Sequence, residues 1–321
     1  MPTLYSGLAT LLQKSRPEKG WRKITVGLRT QTPTRHFRIE RRVIRHIHII
    51  TLQDGKLSRN YVLGQMAECW QTQGIKVTAG PTERLHADIG ILHVDTTRVP
   101  AGCLPDNPLG RPILNARVLD ISKRRISDNI LSRDSDYAGP VVIKTDANCF
   151  GTREAKQLSF WNPRRLRRKL TKILPWQAAG ELPRSVYPIL DGIAEVPDWV
   201  WRREDLVVER FLPEVEDGEY VLRSWLFLGN QDYVVKVYCP DPIVKAHRAS
   251  HHEYLDSVPD SLRARRAQLD IDFGKFDYVM VNGEAVLLDA NKTPATTASD
   301  TPSENIVRVA TGIMHFASAA E

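Results

Sequence analysis

The feature that most constrains this fold is the segment 277–291, DYVMVNGEAVLLDAN, in which an Asn-Gly dipeptide joins two apolar runs. Asn-Gly between such runs is a strong local signal of a β-hairpin. Because side chains alternate along a strand, Asp289 and Asn291 share a face, amid residues apolar enough to be buried. Two carboxylates, Asp277 and Asp289, beside an amide oxygen are ligands that a hard cation such as Mg²⁺ prefers. The alternative is that both aspartates cap exposed strand ends.

The register of this hairpin decides whether the two aspartates can share a cation. A two-residue Asn-Gly turn would pair Asp277 with Leu288 and place Asp289 on the opposite face. A three-residue loop over 281–283, with a G1 bulge at Gly283, would make the aspartates diagonal neighbours at ~7–8 Å. Since only the second register brings the carboxylates together, we predict that register, with Gly283 at positive φ.

Two further segments have the character of a nucleotide site. In 139–152, GPVVIKTDANCFGT, an apolar strand ends at Lys144 and a small-residue turn follows. Such a turn can direct backbone N–H groups at phosphate oxygens while the ammonium adds a point charge. In 206–213, LVVERFLP, an apolar strand changes direction at Pro213 and leaves backbone groups that an adenine edge could use. The alternatives are a surface lysine with its amine in solvent and an ordinary strand end.

Charge placement argues against a nucleic-acid partner for the folded body. The 321 residues carry a net charge of +7, but residues 1–45 hold eleven Lys and Arg against two Glu, which is +9, so the rest sums to −2. The excess positive charge therefore belongs to an N-terminal arm. A hydrophobic fraction of 42% indicates packed domains, and no apolar run reaches the ~18 residues of a membrane span.

The four cysteines lie more than thirty residues apart, without a CxxC pair, which argues against both a disulfide framework and a zinc site. The N-terminus lacks a secretion signal, although its Arg-rich start could imitate an organellar transit peptide. We therefore expect a cytoplasmic protein.

The order of the predicted elements suggests four parts. A basic arm, 1–42, precedes a strand, a helix over 60–73 and two further strands, which together predict a small α/β domain over 43–115 with parallel pairing. A subdomain over 116–205 contains helices at 119–131 and 162–174 and a strand at 141–145. Four β-rich segments and a final helix form a subdomain over 206–321. The helix over 162–174 has a dense basic face, which is either solvated or contacts an anionic substrate or partner.

Taken in order, these features resemble the ATP-grasp superfamily over about residues 110–300, and in particular the D-alanine–D-alanine ligase and RimK-like carboxylate–amine ligases. The resemblance implies an α/β (α+β) ATP-grasp fold, with 116–205 as its lid subdomain and 206–321 as the subdomain that holds nucleotide and metal. It also implies that 43–115 is the Rossmann-like domain that precedes the grasp fold in this superfamily.

The resemblance assigns roles to individual residues. Lys123 and Lys144 resemble the two nucleotide lysines, Glu209–Leu212 resembles the adenine linker, and Glu219 matches the ribose carboxylate. The implied nucleotide-binding residues are Lys123, Lys144, Gly151, Glu209, Arg210, Phe211, Leu212, Glu219 and Lys236. The implied metal ligands, for two Mg²⁺ or for Mn²⁺ in their place, are Asp277, Asp289 and Asn291. Lys275 and Arg223 are the implied catalytic residues.

The implied function is an ATP-dependent ligase that joins a carboxylate to an amine or thiol through an acyl phosphate and releases ADP and phosphate. Its partners would be a small-molecule or peptide carboxylate and an amine or thiol acceptor, and a homodimer is compatible with this function. Two alternatives stay open. One is a phosphotransferase on a hydroxyl group, with the basic helix holding an anionic substrate, and the other is an ATP-binding module without catalysis.

Overall fold

The computed structural model describes residues 43–53, 57–151, 163–183, 186–296 and 301–317. All of these lie in one compact unit, residues 40–321. The predicted basic arm, 1–42, and the first residue of the predicted basic helix, Asn162, lie outside the described residues. Within the described ranges, no helix is both long enough and apolar enough to cross a membrane.

The first layer is a parallel sheet of four strands in the order β2-β1-β3-β4. One helix, α1, follows the first strand, and its buried residues pack with Ile47 and Ile49. Gly74, at φ +80°, lies just beyond the end of α1 in the left-handed conformation that favours glycine. The predicted parallel α/β arrangement is therefore confirmed. The elements are β1 (His46–Ile50), α1 (Val62–Thr72), β2 (Lys76–Gly80), β3 (Ile89–Leu92) and β4 (Ile113–Leu114).

The second layer is an antiparallel sheet of three strands in the order β6-β5-β7, with short helices around it. The predicted helix over 119–131 is shorter than expected. Ser127 is extended, and the Leu131 N–H donates to the Val208 carbonyl, so this chain pairs with β7 instead of continuing the helix. The elements are α2 (Lys123–Ile126), β5 (Val141–Thr145), α3 (Pro163–Leu170), α4 (Trp176–Ala179), β6 (Ile189–Leu190), α5 (Asp198–Trp201) and β7 (Leu206–Arg210).

The third layer is a sheet of six strands in the order β11-β10-β9-β12-β13, with β8 paired to β9. Aromatic residues Trp225, Phe227 and Phe276 fill the core on one of its faces. The elements are β8 (Glu214–Glu216), β9 (Glu219–Leu228), β10 (Gln231–Cys239), β11 (His251–Leu255), α6 (Asp260–Gln268), β12 (Phe273–Val281), β13 (Glu284–Asn291) and α7 (Glu304–Ala310). The predicted α/β class is confirmed by these mixed layers.

The hairpin β12–β13 has a register that differs from the predicted one. Val281 pairs with Glu284, so the turn contains two residues, Asn282 at φ +52° and Gly283 at φ +84°. Positive φ at both positions is the signature of a type I′ turn. The prediction of a three-residue loop is therefore wrong, because the Asn-Gly pair adopts the turn that matches strand twist best, while the positive φ of Gly283 is confirmed.

A β-bulge further along the same hairpin supplies the shift that we expected from the loop. Tyr278 pairs with Leu287, but the next residue, Asp277, pairs with Asp289, which leaves Leu288 as the extra residue. A bulge of this kind places two residues of one strand opposite one of its partner. The two aspartates therefore face each other directly, rather than diagonally as predicted.

Candidate functional site

A cavity of about 320 Å³ lies between the three-stranded sheet and the six-stranded sheet. Its apolar lining comes from strand β5, from the linker between β7 and β8, from β9 and from the loop 242–245. Its charged lining comes mainly from α2, β5, β12 and β13. The sequence-predicted residues that line it are Lys123, Lys144, Arg210, Phe211, Leu212, Lys275, Asp277, Asp289 and Asn291.

The two opposed aspartates are each held by a lysine. Lys275 Nζ lies 2.9 Å from Asp277 Oδ2, and Lys123 Nζ lies 2.7 Å from Asp289 Oδ1. The Ser224 hydroxyl donates a hydrogen bond to Asp277 Oδ1. This part of the cavity is therefore a cluster in which ammonium and carboxylate groups alternate. The phosphates of a bound triphosphate could replace the aspartates as partners of the lysines.

Lys123 is the first residue of α2 and one of the most buried charged groups of the described chain. Only 3% of its surface is exposed. Burial alone would lower its pKa, but the adjacent carboxylate of Asp289 outweighs this effect and raises the pKa of Lys123 above its ordinary value. The ammonium therefore keeps its charge, as a phosphate-binding lysine requires.

Lys144 and Glu209 form a second buried pair, on the neighbouring strands β5 and β7. Lys144 Nζ lies 2.7 Å from Glu209 Oε2. The Glu209 side chain is fully buried, and its other oxygen, Oε1, has no hydrogen-bond partner within the described part of the chain. A buried acceptor without a donor is costly, and Lys144, the other member of the pair, lines the cavity.

The linker after β7 presents backbone groups to the cavity. The N–H groups of Arg210 and Phe211 donate to the carbonyls of Asn129 at 3.0 Å and Pro140 at 2.9 Å. Among the described residues, no hydrogen bond engages the N–H of Leu212. This is the donor that the predicted adenine linker needs at Leu212.

Five predicted residues do not line the cavity: Gly151, Glu209, Glu219, Arg223 and Lys236. Ser224 pairs with Asp277, so its neighbour Arg223 points to the opposite face of the sheet, where it donates to Glu214 Oε1 at 2.6 Å. Lys236 pairs with Arg223 and contacts Glu216 and Glu253.

Glu219 lies 3.7 Å from His251 Nδ1. Because side chains alternate along a strand, Arg223 and Lys236 lie on the face of the sheet opposite the cavity, and the sequence motifs do not contain this information. Glu219 does not line the cavity either. Gly151 has φ +60°, but its neighbours Asn148 and Phe150 line the cavity instead of it.

Several residues of the cavity wall were not predicted from the sequence, among them Phe150, Tyr187 and Lys245. Tyr187 stacks on Phe150 with ring centroids 4.2 Å apart, and Lys245 Nζ lies 5.6 Å from the Phe150 centroid. Burial raises the pKa of the Tyr187 hydroxyl. Phe150 belongs to the predicted phosphate turn, and that position was a usable signal. Tyr187 carries no local signal, because it precedes a strand of only two residues, β6.

The donor set near β12 and β13 fits a magnesium ion. Asp277, Asp289 and Asn291 all line the cavity and offer two carboxylates and one amide carbonyl, which is the hard-oxygen chemistry of such sites. Within the described ranges, no group of three His, Cys, Asp or Glu side chains is placed to hold a metal ion. The candidate metal site therefore depends on Asn291 as its third protein ligand.

No protein-family model matches this chain, and a comparison with curated proteins finds no match. Among solved structures, the chain is similar to a RimK domain ATP-grasp protein from Sphaerobacter thermophilus. The identity is 12% over 84% of this chain and 98% of that one, with a TM-score of 0.42.

It is also similar to the D-alanine–D-alanine ligase of Bacillus anthracis complexed with ATP, at 12% identity over 86% of this chain and 97% of that one, with a TM-score of 0.40. A third match is the macrocyclase MdnC from Microcystis aeruginosa, bound with its precursor peptide MdnA. It has 9% identity over 83% of this chain and 98% of that one, and a TM-score of 0.47.

Proposed function

We propose that this protein binds ATP with Mg²⁺ in the cavity and acts as an ATP-dependent ligase that joins a carboxylate to an amine or a thiol. One observation carries the proposal: a single cavity combines Lys123, Lys144 and Lys275 with two opposed aspartates and an apolar linker. The lysines suit a triphosphate, the aspartates suit its cation, and the linker suits a base.

The reaction needs no covalent nucleophile from the protein. A substrate carboxylate oxygen would attack the γ-phosphorus and ADP would leave, and an amine or thiolate would then attack the acyl carbon and displace phosphate. The role of Lys144, Lys123 and Lys275 would be to orient the phosphates and neutralise their charge. Asp277, Asp289 and Asn291 would hold Mg²⁺, which when bound neutralises charge on the phosphates.

The adenine part of the proposal is tested at the linker. Leu212→Pro removes the one linker N–H that lacks a partner among the described residues, and adds ring bulk. We expect the thermal stabilisation by Mg·ATP to disappear while the protein stays folded, and Val215→Thr, at an exposed position of β8, serves as the control. An unchanged stabilisation in folded Leu212→Pro would contradict the assignment of the linker.

The chemistry is tested by a screen for ADP release with carboxylates crossed against amines and thiols, followed by mass spectrometry of the product. An amide or thioester formed together with ADP and free phosphate is the expected result. ADP release accompanied by a phosphorylated hydroxyl compound would contradict ligase chemistry.

The phosphotransferase stays a second candidate because the basic helix approaches the phosphate turn. Arg168 Nη2 lies 3.4 Å from the Phe150 carbonyl oxygen, and Arg167 and Lys169 are exposed on the same helix, α3. These charges suit a substrate that is already anionic. Replacing Arg167, Lys169 and Lys172 with Glu should then raise the KM of that substrate most strongly at low salt, since exposed charges are screened beyond ~8–10 Å at physiological ionic strength.

A further inference from the structure

The carboxyl edge of the parallel sheet meets the chain that leaves β13. The Val62 N–H donates to the Pro294 carbonyl at 3.0 Å, and the Thr296 N–H donates to the Asn60 carbonyl at 2.8 Å. The start of α1 therefore holds residues 294–296 through backbone hydrogen bonds. These residues follow Asn291, the third member of the candidate metal site, by only a few positions.

A series of side-chain hydrogen bonds connects the same edge to Asn291. The Tyr61 hydroxyl donates to Asp95 Oδ2, and the Thr293 hydroxyl donates to Asp95 Oδ1 at 3.1 Å. The backbone N–H of Thr293 donates to Asn291 Oδ1 at 2.9 Å. Because hydrogen bonds to a carboxylate are charge-assisted, Asp95 is a strong anchor for both hydroxyls.

Packing restrains both ends of this series. The Tyr61 ring lies edge-on to His93, with ring centroids 4.9 Å apart. Thr293 is 4% exposed, and its neighbour Lys292 is fully buried, with Nζ 3.4 Å from the Val118 carbonyl oxygen. Thr293 therefore has little room to adopt another position, and its hydrogen-bond partners Asp95 and Asn291 are restrained with it.

We propose that Tyr61 and Asp95 are positioning residues that orient the amide of Asn291 for metal binding. They hold Thr293, and the Thr293 N–H occupies one lone pair of Asn291 Oδ1. The Thr293 hydroxyl lies 3.1 Å from Asp95 Oδ1 and 3.3 Å from Asn291 Oδ1, and it has one proton, so donating that proton to Asp95 leaves the second lone pair of Asn291 Oδ1 for a cation in the cavity. Neither Tyr61 nor Asp95 lines the cavity, so both act through Thr293 and Asn291. The inference rests on the proposed function, since it assumes the metal site at Asp277, Asp289 and Asn291.

This arrangement makes the α/β domain part of the metal site, although it contributes no ligand. Replacing a residue that orients a metal ligand through hydrogen bonds, without itself binding the metal, typically lowers metal affinity by about 10–100-fold. The proposed coupling therefore predicts a metal-binding defect from substitutions that lie 196 residues (Asp95) and 230 residues (Tyr61) from Asn291 in the chain. A purely local role of Tyr61 at the start of α1 would not produce this defect.

The test measures Mn²⁺ binding in the presence of ATP by electron paramagnetic resonance, on the full-length protein. We expect Tyr61→Phe and Asp95→Asn to weaken Mn²⁺ binding by about 10-fold, and Thr293→Val to do the same. Thr293→Ser keeps the hydroxyl and should bind Mn²⁺ like the parent. Binding of ATP without metal should be unchanged in all four variants, because none of these side chains lines the cavity.

Two controls separate the possible outcomes. Thr72→Val removes a hydroxyl at the far end of α1, where it donates to the Cys69 carbonyl, and should leave Mn²⁺ binding unchanged. Asp289→Asn tests the metal site itself. If the parent binds no Mn²⁺ with ATP, the proposed function fails and this inference fails with it.

If Asp289→Asn abolishes Mn²⁺ binding while Tyr61→Phe and Asp95→Asn bind like the parent, only the positioning role is overturned. Thermal melts confirm folding of each variant. Tyr61→Phe removes a single oxygen atom, so it decides the question even where Thr293→Val does not fold.

Discussion

At the scale of single residues, the charged side chains at the cavity form pairs that compensate one another. Asp289 is paired with Lys123, and Glu209 is paired with Lys144, at 2.7 Å in both cases. Removing one member of a buried pair leaves the other charge without compensation. Substitutions in these pairs should therefore have larger effects than substitutions in surface ion pairs. Separate measurements of metal binding and of base binding distinguish the roles of the substituted residues.

Asp289→Asn should separate metal binding from base binding. The substitution keeps the shape of the side chain but removes a carboxylate that faces Asp277 and contacts Lys123. We expect loss of more than about 100-fold in ATP turnover, in the range that removal of electrostatic stabilisation costs, with adenosine binding retained. Asp270→Asn, at an exposed carboxylate outside the cavity, is the control. Full turnover by Asp289→Asn would exclude a metal-binding role for this residue.

A pair of histidines on β1 should make stability depend on pH. His48 Nε2 donates to the Gly80 carbonyl at 3.1 Å, so the neutral ring accepts the Thr78 hydroxyl at Nδ1, and Thr78 in turn accepts from His46 Nε2. Burial lowers the pKa of both histidines, and for His46 the nearby Lys76 adds to the effect.

Both histidines therefore bind protons more readily in the unfolded chain than in the folded protein. Their contribution to stability is complete above pH about 6.5, the ordinary value, and it decreases as the pH falls through that value towards the lowered pKa. Urea denaturation between pH 8 and pH 5 should show this decrease. The double variant His46→Gln/His48→Gln should show a smaller one, whereas His252→Gln, at an exposed position on β11, should match the parent.

At the scale of elements, the hairpin β12–β13 is the decisive structure. Its turn and its bulge have separate roles, since Asn282-Gly283 reverses the chain and the bulge at Leu288 restores a common face for the aspartates. A slip of one residue would move every side chain of β13 to the other face of the sheet. The hairpin register therefore determines whether a metal site exists.

Gly283→Ala should destabilise the hairpin by about 1 kcal/mol, because a residue with a Cβ is strained in the left-handed conformation. Gly283 has φ +84° and open space around it, so backbone strain alone is measured. Asn282→Gly, at φ +52°, should have a much smaller effect. Chemical denaturation measures both variants, and equal stability of Gly283→Ala and the parent would contradict the type I′ assignment.

At the scale of the whole molecule, the first and the last α-helix of the described residues are packed together. α1 and α7 share one apolar cluster with β9, and the Trp70 indole N–H donates to the Ala310 carbonyl at 2.9 Å across 240 residues of chain. Both helices are therefore coupled to the sheet that carries the candidate site. The four-part division, the homodimer and the cytoplasmic location stay predictions.

Trp70→Phe should lower the free energy of unfolding by about 1–3 kcal/mol, because it leaves a buried carbonyl without its donor and removes packed surface. Trp70 is 1% exposed. Tyr254→Phe, at a side chain that is 56% exposed, should change stability by less than about 0.5 kcal/mol. Thermal and urea denaturation provide both values, and a stability loss no larger in Trp70→Phe than in Tyr254→Phe would contradict this coupling.

Local chemistry was sufficient to predict much of this protein from its sequence. The parallel order of the first strands, the lysine at the end of β5, the linker at Pro213 and the Asn-Gly hairpin all depend on residues within a few positions of one another. The candidate residues of these segments, such as Lys144, Leu212 and Asp289, line one cavity. Patterns of this kind are readable because turn preferences and strand alternation act over short distances.

Tertiary structure alone decided which of these side chains meet. The bulge that places Asp277 opposite Asp289 depends on how β12 fits between β9 and β13, and the same pairing directs Arg223 away from the cavity. Lys123 reaches Asp289 across 166 residues of chain. No local pattern encodes such contacts, because they result from packing between distant elements, where one residue of register reverses the direction of a side chain.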